Sequence, residues 1–372
     1  MIIYERVLEK NVKLKEIDID ARDADFSKDQ ISWKDLCEFL AICKGENVSA
    51  VPDSVLTMCD TLKVDDSLWP LLLNATVRED MIRQKIEDLT RLDKKFFNYF
   101  SVWKEIRQFL HNLGHVKIDP VKFSESCPSN SRVVSAVHKD PCSKISYSMS
   151  GSSTGRLTIT RGPNFLVLPR ESRNALCATQ KGSSIYSIDF TSLEPRVALW
   201  VSSTDEFGED IYSTVMKMCD IDKRDVAKQA TLSALYGASV NRLAITVGSR
   251  THAKGLIERV SNFFEVSELE KMLEDQASKG TITNMFGRPL YEATKQPRVR
   301  ANHFIQSTAA DLANLLFSRL CEKNPCVKPL LVIHDALIVE VPPENEERFF
   351  SDCESIYYDN VWFSTKREKI NN

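Results

Sequence analysis

The chain has 372 residues and ten cysteines but no C-x-x-C pair. Its most closely spaced cysteines, Cys321 and Cys326, have no further Cys or His at zinc-finger spacing, which excludes the common structural zinc modules. A reduced chain, not a disulfide framework, is the expectation. No segment approaches the ~20 consecutive apolar residues of a membrane span. Met1-Ile2-Ile3-Tyr4-Glu5-Arg6 runs into charge where a signal peptide would stay apolar, so the protein is expected in the cytoplasm and not in a membrane. Glycine (12) and proline (14) are too scarce for a fibrous or low-complexity protein. A basic surplus is missing too: 49 Lys and Arg against 52 Asp and Glu leave a net charge of -3, and the total gives no sign of a nucleic-acid partner. No internal repeat is visible.

What is present is an ordinary globular composition, 42% hydrophobic and 27% charged, long enough for two or three domains of ~150 residues each. Charge is unevenly distributed. Arg156, Arg161, Arg170, Arg173 and Lys181 are opposed within their stretch only by Glu171, so the middle of the chain can present a basic groove that the net charge conceals. Residues 1–70 mix short apolar patches with charge and suggest no chemistry. From 71 to 114 the apolar residues Met81, Ile82, Ile86, Leu89 and Leu92, then Phe96, Phe97, Phe100, Trp103, Ile106 and Leu110, recur at three and four, which predicts two amphipathic helices ended by Gly114. Their cations, Arg78, Arg83, Lys85, Arg91, Lys94 and Lys95, read either as a phosphate-facing surface or as a solvated helix face. Pro120, Pro128 and Pro141 break residues 119–153 into a connection, and the second half begins there. In that half residues 184–190 read as a buried strand, 222–236 as a helix, and 330–341 as two strands about a tight turn.

Three segments carry candidate chemistry. In Leu330-Leu331-Val332-Ile333-His334-Asp335-Ala336-Leu337-Ile338-Val339-Glu340-Val341 a polar pair interrupts two β-rich runs. A hairpin turn explains it, yet the runs are too apolar for a surface ribbon, which puts His334 and Asp335 at the exposed end of a central hairpin. Asp189 ends a second apolar strand, Ser184-Ile185-Tyr186-Ser187-Ile188-Asp189-Phe190. Paired, two such carboxylates suit a divalent metal completed by phosphate oxygens, and hence phosphoryl transfer by two metals. In the third segment Arg224, Lys228, Leu232 and Tyr236 are spaced by four, one ridge of a helix ended by Gly237. Two cations, an apolar residue and an aromatic along a ridge can hold phosphates at one end and stack a base at the other.

In kind and order these segments resemble the A, B and C motifs of the family A DNA polymerases, the group that includes bacterial DNA polymerase I and many phage replicases. Family motif A, roughly D-Y-S-Q-I-E-L-R, matches Asp189-Phe190-Thr191-Ser192-Leu193-Glu194-Pro195-Arg196. Motif B, R-x3-K-x7-Y-G, is met by Arg224, Lys228, Tyr236 and Gly237, and motif C, H-D-E, by His334-Asp335-Ala336. Ser153-Thr154-Gly155-Arg156-Leu157 and Pro163-Asn164 look like the family's T-G-R-L and P-N stretch. Phe286-Gly287-Arg288 looks like its G-R tip, and Asn302 with Gln306-Ser307-Thr308-Ala309-Ala310-Asp311 like its N-x3-Q-G-T-A-A-D helix. The resemblance covers about residues 131–346.

It implies an α+β right-hand polymerase fold, with an antiparallel-sheet palm and helical thumb and fingers. Residues 1–70 would be an N-terminal region of unknown role, 71–130 thumb-like helices, 131–200 the first part of the palm, 201–290 the fingers and 291–372 the second part of the palm. The implied activity is template-directed addition of dNTPs to a primer 3′-OH by a cytoplasmic enzyme of minimal phage type. By the same resemblance Asp189 and Asp335 bind two Mg2+ ions, with Mn2+ able to substitute. Arg224 and Lys228 grip the triphosphate, Lys228 protonates the leaving pyrophosphate, and Tyr236 packs where the templating base enters. Glu194 crowds the sugar 2′ position, and Leu232 and Tyr212 complete the nucleotide site. Arg156, Asn164, Asn302 and Gln306 contact primer-template DNA, with Arg298 near the template and His334 near the primer terminus.

The chain departs from the family pattern at four places: Ala336 for the second motif C carboxylate, Leu232 for the aromatic of the fingers helix, Ser192 for the motif A glutamine and Tyr212 for histidine. Only Ile17-Asp18-Ile19-Asp20 faintly suggests a proofreading exonuclease, so a minimal polymerase is expected, served by a separate exonuclease or other replication proteins in trans. Two alternatives stand beside it: a single-subunit RNA polymerase or primer-synthesising enzyme, which Glu194 argues against, and a catalytically decayed DNA-binding subunit, which Ala336 motivates.

Overall fold

The computed structural model describes residues 2–7, 10–16, 30–46, 75–92, 96–127, 131–202, 210–237, 240–354 and 356–371. Ile17 to Asp20, Lys94, Lys95 and Pro128, on which expectations above rest, lie outside them. The chain divides into two compact units, Met1–Phe100 and Ser101–Asn372.

In the first unit, β1 (Ile2–Val7) pairs antiparallel with β2 (Lys10–Glu16) and parallel with β3 (Gln30–Ser32). Helix α1 (Trp33–Lys44) follows at once. The Ser32 hydroxyl accepts from the Asp35 amide at 3.1 Å, and Gly45, at φ 66°, ends the helix in the left-handed conformation that glycine tolerates. The helix α2 (Ala75–Thr90) carries Arg78, Arg83 and Lys85, with Arg91 just past its end; Arg83 pairs with Asp80, Lys85 with Asp88 and Arg91 with Glu87.

The second unit takes in nearly all of α3 (Phe97–Asn112), then β4 (His115–Ile118), α4 (Pro120–Ser126) and α5 (Ser131–Lys139). Pro120 stands at the first helical position, where a missing N–H costs nothing, and Asp119 caps the two amides that follow. Short strands β5 (Cys142–Lys144), β6 (Ser146–Ser148), β7 (Thr158–Arg161) and β8 (Leu176–Cys177) lead to β9 (Ser184–Phe190), which is the strand expected. A long helical excursion follows: α6 (Leu193–Val201), α7 (Ile211–Cys219), α8 (Arg224–Tyr236), α9 (Val240–Val247), α10 (Arg250–Phe263), α11 (Val266–Ser278), α12 (Tyr291–Lys295) and α13 (Arg300–Lys323). The expected helix at 222–236 starts two residues late, because Lys223 is extended (φ −116°, ψ 127°) and serves as the cap. The chain then returns through β10 (Lys328–Ile333), β11 (Ala336–Val341), α14 (Glu346–Glu354), β12 (Tyr357–Tyr358), β13 (Val361–Trp362) and β14 (Thr365–Asn371).

These returns build one four-stranded antiparallel sheet, ordered β10-β11-β9-β14. Every residue of β11 is buried, and so is every residue of β9 except Asp189. Strands buried on both faces read as continuous apolar runs, which is why β9, β10 and β11 were legible. Helix α13 packs against α6, and its Phe317 stacks on Phe190 with centroids 5.0 Å apart. The rims of the sheet differ. At β10 the Tyr147 hydroxyl donates to the Val332 carbonyl at 2.8 Å and accepts from its amide at 2.9 Å, while the Gly114 amide donates to Pro329. At β14 the rim is four consecutive charges, Lys366 to Lys369.

Candidate active site

Asp189 and Asp335 arrive at one point because β9 and β11 pair in a register that sets Asp189 opposite Ala336. Asp335 belongs to the two-residue turn between β10 and β11, and its carbonyl accepts the Phe190 amide at 3.3 Å. The turn's first residue, His334, has φ 54°, a position usually given to glycine. Three residues beyond Asp189, Ser192 is left-handed as well (φ 54°, ψ 44°). Left-handed backbone costs a non-glycine residue roughly 1–2 kcal/mol, and such strain gathers at functional sites. Here both strained residues adjoin the aspartates.

Partial desolvation of its carboxyl group, although the residue as a whole is exposed, and then the Asp335 charge push Asp189 up from its ordinary 3.8 to about 6, against the pull of Arg173, Arg170 and Lys366. A second carboxylate that raises the cost of ionising Asp189 fits a site for a hard divalent cation, which would relieve that repulsion. Among the described residues no third His, Cys, Asp or Glu joins them, so the remaining ligands of such an ion would come from backbone carbonyls, substrate and water. The acid further along β11, Glu340, is already satisfied by the Thr179 and Gln180 amides at 2.8 and 2.6 Å.

In front of the sheet lies a cavity of about 590 Å³. Of the residues singled out in the sequence, Arg156, Asp189, Glu194, Tyr212, Arg224, Lys228, Leu232, Gln306, His334 and Asp335 line it. Tyr236 joins through its hydroxyl, which donates to Glu194, and the other Glu194 oxygen accepts from Arg156. Burial raises the Glu194 pKa, and Arg156 opposes that. Arg224 is held bidentately by Asp210 at 3.2 and 3.3 Å and lies 5.0 Å from the centre of the Tyr212 ring.

Three expected DNA contacts lie elsewhere. Asn164 accepts from the Leu166 amide in its own turn, Arg298 sits in the 3-10 turn Pro297–Val299, and the Asn302 Oδ1 is buried with no partner among the described residues. Sequence reasoning missed Lys366. It is the β14 residue opposite Asp189 and also lines the cavity, so Ala336, Asp189 and Lys366 form a row across three strands. No periodicity betrays such a residue, since its position depends on the register of a charged strand.

Three of the quoted motifs meet through residues that do not line the cavity. Arg288 donates to both Asp311 oxygens, at 3.1 and 3.4 Å, and to the Met149 carbonyl at 3.0 Å. Asn284 donates to Asp311 and accepts from the Phe286 and Arg288 amides. A Cβ on Gly155 would come within 2.5 Å of the Arg288 guanidinium carbon, so this glycine is required by close approach as well as by its φ of 73°.

An antiparallel sheet bearing two aspartates, faced across a cavity by a cationic helix, is the plan of the α+β right-hand polymerase fold. The POL domain of Pol1 from M. smegmatis, solved in complex with DNA primer-template and dNTP, shares it with a TM-score of 0.62 at 17% identity, over 91% of this chain and 81% of that one. The sequence model of DNA polymerase family A matches residues 121–360, nearly two thirds of the chain, and the protein belongs to that family. It is 28% identical over 239 residues to a thermostable DNA polymerase I of Thermus filiformis, covering 54% of this chain and 28% of that protein. It is 26% identical over 258 residues to DNA polymerase I of Helicobacter pylori, covering 60% and 29%. The chain thus spans less than a third of the length of these relatives. No helix among the described residues is long and apolar enough to cross a membrane.

Proposed function

We propose that the protein is a template-directed DNA polymerase that joins dNTPs to a primer 3′-OH. The observation that carries this reading is the convergence on one cavity of Asp189 and Asp335 with Arg224 and Lys228. The sheet is read as the palm and α7 to α11 as the fingers, with residues 71–130 as the thumb.

The arginine fork of Arg224 and the ammonium of Lys228 bind the triphosphate, whose charge draws it to the N-terminal half of α8. Lys228 then donates a proton to the leaving pyrophosphate. Asp189 and Asp335 hold two Mg2+ ions, or Mn2+ in their place; when bound, the ions supply Lewis-acid stabilisation of the attacking and leaving oxygens. Glu194, fixed by Tyr236 and Arg156, walls off the sugar 2′ position and so favours deoxynucleotides. Arg156, Gln306 and His334 meet the primer-template from the palm side, and Asn164, Arg298 and Asn302 contact it outside the cavity. Other replication proteins act in trans, and the chain extends without excising: shortening of a 3′-mismatched primer would overturn that point.

Extension of a labelled primer with Mg2+ and dNTPs tests the core of the reading. Product from the wild type and none from Asp335→Ala is expected, a loss of at least a hundredfold. Preference for rNTPs would favour RNA or primer synthesis, and bound but unextended primer-template a DNA-holding subunit.

A further inference from the structure

β14 is a rim strand of the sheet, and its side chains alternate between the two faces. On one face Arg367 lies over the Phe350 ring at 4.6 Å and Lys369 over the Tyr186 ring at 5.9 Å, so both cations are engaged within the protein. Lys366 and Glu368 belong to the other face, beside their register partners Asp189 and Ser187. Lys366 lines the cavity in front of the sheet. Glu368 and Ser187 line a second, smaller cavity of about 200 Å³, together with Arg170, Glu171 and Arg173. The β14 residues that mark the two cavities are separated by one residue, ~7 Å along the strand.

The cations of this rim are incompletely balanced. Arg170 pairs with Glu368, but both side chains are largely exposed and such a pair holds weakly. Arg173 is half-buried, and among the described residues no carboxylate lies within ion-pair distance of it or of Lys366. A guanidinium partly withdrawn from water without a counter-ion favours an incoming anion, and its planar fork suits a phosphate. In the reading above Arg224 and Lys228 take the triphosphate. That leaves the rim beside Asp189 for the other polyanion of the reaction, the strand that carries the attacking 3′-OH.

We propose that Lys366, Arg173 and Arg170 form a phosphate track on this rim, which holds the backbone of the primer strand as its 3′ end reaches Asp189. Glu368 competes with those phosphates for Arg170. The proposal rests on the nucleotidyl-transfer reading above.

Equilibrium binding of a labelled primer-template in Mg2+ without dNTP, over a range of salt, tests this, with thermal melts confirming that each variant is folded. Lys366→Ala and Arg173→Ala are each expected to weaken binding about fivefold, the worth of one hydrogen bond. Each should also lower the slope of log affinity against log salt by about 1, the mark of one lost phosphate contact, with the dNTP KM changed less than about twofold. Glu368→Gln, which releases Arg170, should tighten binding about twofold or more. A primer whose last internucleotide linkage is a neutral methylphosphonate identifies the strand: it should bind wild type about fivefold more weakly but Lys366→Ala less than about twofold. Unchanged salt slopes, a loss confined to the dNTP KM, a Glu368→Gln that binds no tighter, or equal methylphosphonate losses in wild type and Lys366→Ala would overturn the inference alone. A wild type that extends no primer would overturn the nucleotidyl-transfer reading, and this inference with it.

Discussion

Arg288–Asp311 and Arg224–Asp210 are both bidentate arginine–aspartate pairs, but they sit in opposite surroundings. The side chains of the first are 3% and 2% exposed, those of the second 48% and 33%. Arg288 spends its remaining donor capacity on a backbone carbonyl, and Asp311 also accepts from Asn284, so the pair is closed within the protein. Arg224 stands at a cavity with one face on the Tyr212 ring and about half of its side chain exposed, so solvent or a ligand can reach it. A charge pair on its own therefore says nothing of function. What separates a frame from a binding group is whether the protein alone supplies all its partners.

The comparison breaks first at Asp311. Asp311→Ala leaves a buried guanidinium without its counter-charge and should cost about 3–5 kcal/mol in urea unfolding; a loss below ~1 kcal/mol would mean that the buried pair is no frame. Arg224→Ala should do the reverse: stability changes by less than ~1 kcal/mol, while the dNTP KM rises by about tenfold or more, as expected for loss of a charge-assisted hydrogen bond. The smallest effect is at Asp189. Its carboxyl is held above its unfolded value of 3.8, at about 6. On raising the pH between these values the unfolded chain therefore releases its proton first, so the group lowers stability through that window and stays unfavourable above it. Asp189→Asn, without metal, should melt a few degrees higher than wild type near neutral pH, and the gap should close on acidification.

The sequence made the centre of this site legible and left its supports obscure. β9 and the β10–β11 hairpin are apolar on both faces, and Arg224, Lys228, Leu232 and Tyr236 repeat at helical spacing, so each announces itself locally. β14 has no apolar alternation, since it is a rim strand made of charges, and Lys366 could not be placed without its register. The resemblance supplied Gly155, Arg288 and Asp311 as motif letters, but Arg288 and Asp311 stand 23 residues apart and Gly155 more than a hundred residues before either, so no local pattern announces their contact. In residues 1–70, β1 and β2 mix apolar and charged side chains without a glycine turn signal, which hid the hairpin.

The Tyr147 hydroxyl has a consequence beyond the contact itself. By donating to and accepting from Val332, one oxygen atom does what a fifth strand would do at that point of the sheet. Burial keeps the phenol protonated, so both roles persist together. With charge repelling strands from the β14 rim and a side chain occupying the β10 rim, neither edge offers a foreign chain a template for pairing. The strands that hold the aspartates are thereby guarded at both rims against pairing with a foreign chain.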